Sequence, residues 1–461
     1  MGYSYRFTSH EGIDHDTLDN FGYDWEKIGN PEIRPKYPLK IYLPRTTEDV
    51  VAIIKEANTL GEKLTVRSKG HSSNDLVLRE RGAILSTALL NRVIDVDTGR
   101  MLATAQSGCL AHDIEEILNP KGLGFPVLGD HNDITIGGYT SVGGIGPSSH
   151  RYGMFVDILE KLEYVNWDGE VRVCSRTENR DEFYRVACGL GQYGVITSLT
   201  APIIHVDKLN TILRNRRTVT MNLNKFLDVS GRGMGQPGEA RMIRGAWNDL
   251  GRFKIGHFSP YFDTTQSWLA AFRNKAVYGY LHALGWWAGR LPAWLDKIVK
   301  ALGIVGLLAP PRYASIKNVE YFSDRIVDST VGDPTRWLIF LVPMEKYRDM
   351  FLDAYNLALD YRAQHGCFTF VSMYVKAFRS EYLSKGDPDK LYCEMNLYLG
   401  IGKSGLSDES LAEMVDKLDD IAIRHNSFRY MHTKTVKDEK RRALIDPNAM
   451  YAGRTTTAAA N

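Results

Sequence analysis

Two stretches of the chain combine residue types that suit one kind of chemistry. The first is Val66 to Asn74, VRSKGHSSN, a short glycine and hydroxyl loop directly after a strand-like run. The second is Gly129 to Tyr152, GDHNDITIGGYTSVGGIGPSSHRY, which is rich in glycine and carries little charge. Glycine costs about 1 kcal/mol in a helix interior relative to alanine, so both stretches read as loops. Such loops bring backbone N–H groups close to an anionic ligand with no side chain in the way. Two of them in one chain point to a long ligand that carries phosphates, and a dinucleotide cofactor fits. Asp130, with His131 and Asp133 as alternatives, is the acid–base candidate in the second stretch. A carboxylate at the edge of a buried cofactor can act as a general base if desolvation holds its pKa near the operating pH. The plainer role for Asp130 is a loop carboxylate that caps a turn.

The elements around these stretches must position them. IYLP (41–44) predicts a short strand closed by Pro44. TTEDVVAIIKEANTLG predicts a helix with a Thr cap, acids in its first turn, and Val50, Ile53, Ile54 and Ala57 on one face. KLTVRS is a strand that runs into the first loop. GAILST (82–87), VIDVD (93–97) and MLATAQSG (101–108) read as strands, and LAHDIEEILNPKG as a helix stopped by Pro120 and Gly122. After the second stretch, ILEKLEYVNWDGEVRVCS reads as a hairpin about Asp168-Gly169. ENRDEFYRVA reads as a helix and GVITSLTAPII as a strand. Residues 1–205, with the regular part from about 40, therefore read as one α+β domain centred on the glycine stretches.

Residues 206–430 differ in character and read as a second domain, partly sheet and partly helix. WLIFLVP (337–343) and YCEMNLYLGI (392–401) are its strand candidates. EKYRDMFLDAYNLALDYRAQHG and DESLAEMVDKLDDIAIRHN are its helix candidates. Residues 431–461 are expected to form a tail that returns to the first domain. Gly189-Leu-Gly191-Gln-Tyr-Gly194 satisfies the GxGxxG pattern. The nicotinamide fingerprint, however, needs a strand before it and a helix after it. Here the order is reversed, so the motif reads as a tight helix-to-strand turn.

Bulk properties exclude several classes. The 461 residues, 44% apolar and 24% charged, are those of a globular protein of two to three domains. A net charge of +2 gives no strong overall field toward nucleic acid or an anionic membrane. The five cysteines are widely spaced, with no CxxC, which argues against a disulfide framework and a zinc site. MGYSYRFTSHEG has neither a secretory pattern nor the myristoylation pattern, so a cytoplasmic protein is expected. One segment departs from the rest: Ala276 to Pro311, AVYGYLHALGWWAGRLPAWLDKIVKALGIVGLLAPP. Its longest charge-free run is too short to span a bilayer, which takes about 20 apolar residues. It reads first as a lid or helical hairpin on the second domain. The alternatives are a surface for an apolar substrate or a membrane interface, and an oligomer contact.

In order and spacing, the helix from Thr46, RSKGHSSN, ITIGGYTSVGGIG, HRYG, the DGEV hairpin and GLGQYGVIT together resemble the PCMH-type (vanillyl-alcohol-oxidase-type) FAD-binding domain. Within that superfamily the chain is most similar to cytokinin dehydrogenases. Weaker signatures continue at NVEYFSDRI (318–326), WLIFLVP and DPNAMYAG (446–453). The resemblance implies an FAD-binding domain followed by an α+β substrate, or cap, domain.

It also implies roles residue by residue. The loop Arg67, Ser68, Lys69, Gly70, His71, Ser72, Ser73 and Asn74 would wrap the FAD pyrophosphate. His71 stands where many members join the flavin C8-methyl covalently. Thr135, Gly137, Gly138 and Ser141 would contact the pyrophosphate and isoalloxazine, and Ile196 the adenine side. Asp130 stands where cytokinin dehydrogenases place the aspartate that takes the substrate's proton. His131 replaces the cysteine of bicovalent relatives, and Leu76 and Arg454 replace glutamines of the cytokinin group. Those two changes bear on the substrate rather than the flavin. The expected function is hydride transfer to flavin N5 from a C–H next to N or O of a small organic substrate. O2 or another acceptor would reoxidise the flavin. An alcohol, sugar or secondary-metabolite oxidase is one alternative, and a non-catalytic flavin-binding protein is another.

Overall fold

The computed structural model describes residues 4–6, 20–24, 35–72, 76–129, 134–264, 268–287, 292, 295, 310–320, 335–384, 387, 389–400, 406–430 and 439–445. Asp130, His131 and Asp133 lie outside these residues, as do Ser73 and Asn74.

The helix expected after Pro44 spans Thr47–Thr59. Thr46 accepts from the Asp49 amide and Asp49 accepts from the Thr46 amide, which closes a capping box. Its apolar face, Val50, Ile53 and Ile54, packs on Tyr42 and Leu85 from one sheet and on Val165 and Val195 from another. Each such side chain contributes roughly 1.5–3 kcal/mol on burial, enough to lock the two sheets about this helix. The first sheet is parallel, in the order Ser4–Arg6, Lys40–Tyr42, Ala83–Ser86, Leu64–Arg67. The second is antiparallel, in the order Val93–Asp97, Leu102–Gln106, Gly194–Pro202, Lys161–Asn166, Val171–Ser175. The GxGxxG motif falls between the Arg180–Val186 helix and the Gly194–Pro202 strand, as a turn.

The second glycine stretch departs from its loop reading. Ile136–Val142 is a helix and contains Gly137 and Gly138, and Ser149–Tyr152 forms a further turn of helix. The helical propensity cost is outweighed by tertiary geometry. The Gly137 amide donates to the Ser107 carbonyl at 2.8 Å, and a Cβ on Gly137 would lie only 2.7 Å from that same oxygen. No other residue type fits so close to the Leu102–Gln106 strand end.

From Ile212 the described residues build a nine-stranded antiparallel sheet. Its centre runs Lys254–Asp263, Met242–Asp249, Val371–Arg379, Leu391–Gly400, Thr335–Pro343. Strand residues alternate between faces. Ile243, Trp247, Met373, Met395, Leu397, Leu338 and Phe340 bury one face against the Leu223–Gly235, Tyr347–His365 and Asp408–Arg424 helices. Ile339, Leu341, Phe378 and Tyr392 on the other face join the core of the 1–205 region. The described part of the expected tail, Glu439–Ile445, packs on the Asp408–Arg424 helix, where Arg441 reaches Asp420 at 2.7 Å; the rest of 431–461 lies outside the described residues.

A buried triad ties the early and middle chain together. Lys208 Nζ lies 3.1 Å from Glu115 Oε1 and 3.0 Å from Glu320 Oε2. The Phe125 amide also donates to Glu115, at 2.8 Å. Burial raises the Glu320 pKa and Lys208 pulls it back. Removing the only ammonium of this triad leaves two buried carboxylates facing each other. Lys208→Met is expected to cost about 3–5 kcal/mol in urea unfolding, clearly more than Glu320→Gln. The reverse order would contradict this account of the triad.

Candidate functional site

A cavity of about 310 Å3 lies between the glycine stretches and the face of the large sheet turned from its helices, within the size range of small-molecule sites. Its walls fix where each expected residue stands. Ser68, Lys69, Gly70, His71 and Ser72 line it from the first loop. Thr135, Gly137, Gly138 and Ser141 line it from the Ile136–Val142 helix and its cap, and Ile196 from the Gly194–Pro202 strand. Arg67 does not reach the wall. Its buried guanidinium sits beneath the loop, 5.2 Å from the Phe21 ring centroid, and burial lowers its pKa to about 10.

The first loop keeps donors in reserve. Among the described residues, no backbone hydrogen bond takes the amides of Lys69, Gly70 or Ser72. Gly70 is buried at φ +78°, and a Cβ there would collide with the Arg67 guanidinium. A buried amide without a protein acceptor is costly unless a ligand supplies one, and phosphate oxygens would do so. The residues present therefore fit the pyrophosphate of FAD.

The second stretch contributes differently. The amides of Ile136, Gly137 and Gly138 are spent on Cys109 O, Ser107 O and Thr135 Oγ1. The Ser141 hydroxyl donates to Gly137 O at 2.8 Å. What these residues offer a ligand is a low wall without side chains at Gly137 and Gly138.

The opposite wall was not singled out in the sequence. On the strand face turned from the helices stand Arg244, His257, Tyr374, Lys376, Glu394, Asn396 and Tyr398, all cavity-lining. Lys376 and Glu394 are cross-strand partners, and Lys376 Nζ lies 2.9 Å from Glu394 Oε2 with both side chains buried. Trp337 Nε1 donates to Asn396 Oδ1 at 2.9 Å. The signal was present: Lys376 interrupts VSMYVKAFR, and Glu394 and Asn396 interrupt YCEMNLYLG. Charged residues at alternate positions of an otherwise apolar strand mark one face as a polar site. Which charges meet across the strands depends on a register that the sequence does not display.

Hydrogen bonds among the described residues hold the two walls together. The Gly144 amide donates to Tyr430 Oη at 3.1 Å, and the Ile243 amide donates to Pro147 O at 2.9 Å. His150 Nε2 lies 2.8 Å from Ala240 O. Facing a carbonyl, that nitrogen must carry the proton.

Residues 38–175 match the family described as FAD binding domain. An uncharacterized oxidoreductase, ORF5 in the fasciation locus of Rhodococcoides fascians, is 33% identical over 43% of this chain and 44% of its own length. An L-gulonolactone oxidase of Scyliorhinus torazame is 25% identical over 57% of this chain and 58% of its own length. Cytokinin dehydrogenase 2 of Arabidopsis thaliana is 31% identical over 37% of this chain and 34% of its own length. The chain thus spans less than two thirds of each of these relatives. It carries an FAD-binding domain of the PCMH type, on an α+β fold with a second α+β part.

Two buried histidines make the fold sensitive to acid. Burial lowers the His150 pKa to about 4, with the Ala240 carbonyl opposing, and lowers that of His257 to about 3, aided by Arg244 and Arg217. In the unfolded chain each would titrate near 6.5. Between these values the unfolded chain binds protons that the folded chain does not, so stability falls as pH falls. Each histidine contributes a slope of about 1.4 kcal/mol per pH unit in that window and none above it. Urea unfolding of His150→Gln, compared with the parent chain from pH 6 to pH 5, is expected to show a slope smaller by about that amount. Identical slopes would contradict a neutral buried His150.

Proposed function

We propose that the chain is an FAD-dependent oxidoreductase that removes a hydride from a C–H next to a hydroxyl or an amine of a small organic substrate. The observation that carries this reading is the meeting on one cavity of an amide-rich loop suited to pyrophosphate and a polar sheet face suited to substrate. When bound, FAD supplies the hydride acceptor at N5. The chain's own residues do the rest. Lys69, Gly70 and Ser72 offer amides to phosphate oxygens, and Gly137 and Gly138 leave room beside them. His71, on the cavity wall, is proposed as the point of covalent attachment. Asp130 is proposed as the base that takes the proton from the substrate's hydroxyl or amine. The electron acceptor that completes turnover is O2 or another oxidant.

The sheet face favours a hydroxyl-bearing substrate such as a polyol, sugar or hydroxy-lactone over an adenine-linked amine. Lys376, Glu394 and Asn396 present donors and acceptors side by side. Such a wall discriminates by its hydrogen bonds, because a substrate lacking the matching groups leaves buried polar atoms desolvated. L-Gulonolactone oxidase among the relatives agrees with this choice.

Anaerobic mixing with a panel of polyols, hydroxy-lactones and isopentenyladenine is the test. A hydroxylated member should bleach the visible flavin band. Bleaching by isopentenyladenine alone would reverse the substrate choice, and bleaching by none would favour a non-catalytic flavin protein. Asp130→Asn is expected to lower kcat by about 10²- to 10⁴-fold with flavin retained; an unchanged kcat would place the base elsewhere. After acid precipitation, colour should stay with the parent protein and move to the supernatant in His71→Ala. Colour released from both would remove the covalent bond from this reading.

A further inference from the structure

The helix Trp268–Trp287 is not needed to form the cavity, yet it has an unusual outer face. Its inner side is anchored: Ala270 and Tyr278 are buried, and Asn274 Oδ1 accepts from the Ser315 amide at 2.9 Å and from Asn318 Nδ2 at 3.0 Å. With about 3.6 residues per turn, these three positions share one side. The opposite side then carries Trp268, Leu269, Phe272, Ala276 and Tyr280. Trp268 is 80% exposed and Phe272 63%, the reverse of what a solvated helix surface favours.

The charges on this helix are also arranged. On the same helical projection, Lys275 falls at one edge of the apolar face and Arg273 at the other, and both are exposed. The helix sequence, WLAAFRNKAVYGYLHALGWW, contains no acidic residue. The following sequence adds Arg290, Lys297 and Lys300 against a single acid, Asp296. The helix is apolar on its anchored side as well, so it is not amphipathic as a whole; its exposed Trp, Phe, Leu and Tyr edged by long cations are the residue types that meet a lipid interface. There the rings enter the acyl boundary and the ammonium and guanidinium groups reach back to anionic headgroups. No helix among the described residues is long and apolar enough to cross a membrane. Although the whole chain is nearly neutral, Arg273 and Lys275 put positive charge at both edges of this face.

We infer that the Trp268–Trp287 helix docks this protein peripherally on an anionic lipid surface. A second copy of the chain is the less suitable occupant, because the facing Arg273 and Lys275 edges would repel one another with no acid on either helix to pair them.

Co-sedimentation of the full chain with vesicles of phosphatidylglycerol and phosphatidylcholine, and with phosphatidylcholine alone, tests this. The expected result is binding to the anionic vesicles, a blue shift of tryptophan emission on binding, and release at high salt. Trp268→Glu/Phe272→Glu should reduce bound protein by roughly tenfold or more. Both side chains are exposed, so the variant should unfold in urea like its parent. A milder variant, Arg273→Gln/Lys275→Gln, should weaken binding to the anionic vesicles selectively. Absence of binding, or binding that neither variant changes, overturns the inference. So does concentration-dependent self-association in sedimentation velocity that Trp268→Glu/Phe272→Glu abolishes in the absence of vesicle binding.

Discussion

The cavity depends on how the segment from Gly144 to His150 is fastened to the large sheet. Hydrogen bonds among the described residues do this, including those from the Gly144 amide to Tyr430, from the Ile243 amide to Pro147, and between His150 and Ala240. Each contributes only about 0.5–1.5 kcal/mol net, but they are buried and act together. They fix the distance between a wall of loops and a wall of strands. Shared burial of Ile339, Leu341, Phe378 and Tyr392 with the first region's core adds the apolar share. A cofactor-binding surface and a substrate-facing surface can then be held in register without a hinge between them.

Each wall solves a different physical problem. The loop wall leaves the amides of Lys69, Gly70 and Ser72 without a backbone acceptor among the described residues, and at buried Gly70 that is a cost an anionic ligand would offset. The adjoining helix spends its own amides internally and contributes close approach instead. The sheet wall carries a buried ion pair, Lys376 with Glu394. Such a pair is weak evidence for stability, because desolvation opposes the Coulombic gain. It stands on the cavity face, with the apolar residues of the same strands turned to the helices.

Much of this was legible in the sequence, and the limits have physical causes. The Thr47–Thr59 helix carried its own cap and periodicity, and Val93–Asp97 and the hairpin about Gly169 carried alternation and a turn residue. The GxGxxG turn was legible from the order of its neighbours. The Ile136–Val142 helix was not, because local propensity argues against it and the contacts that stabilise it come from Ser107 and Cys109, far away in sequence. Lys376 and Glu394 were visible as charges within apolar strands, but their pairing requires the register of Val371–Arg379 on Leu391–Gly400. Arg67 illustrates the converse. Its position in the loop motif suggested ligand contact, whereas its side chain turns under the loop and supports Gly70 from below.

The central claim is that the cavity between these walls holds FAD. The most direct measurement is the visible spectrum and extracted flavin content of the full chain purified in its native state, without added cofactor. The account predicts a yellow protein with stoichiometric FAD, whose flavin bands change shape when urea separates the two walls. A colourless protein that takes up no FAD on prolonged incubation would contradict it.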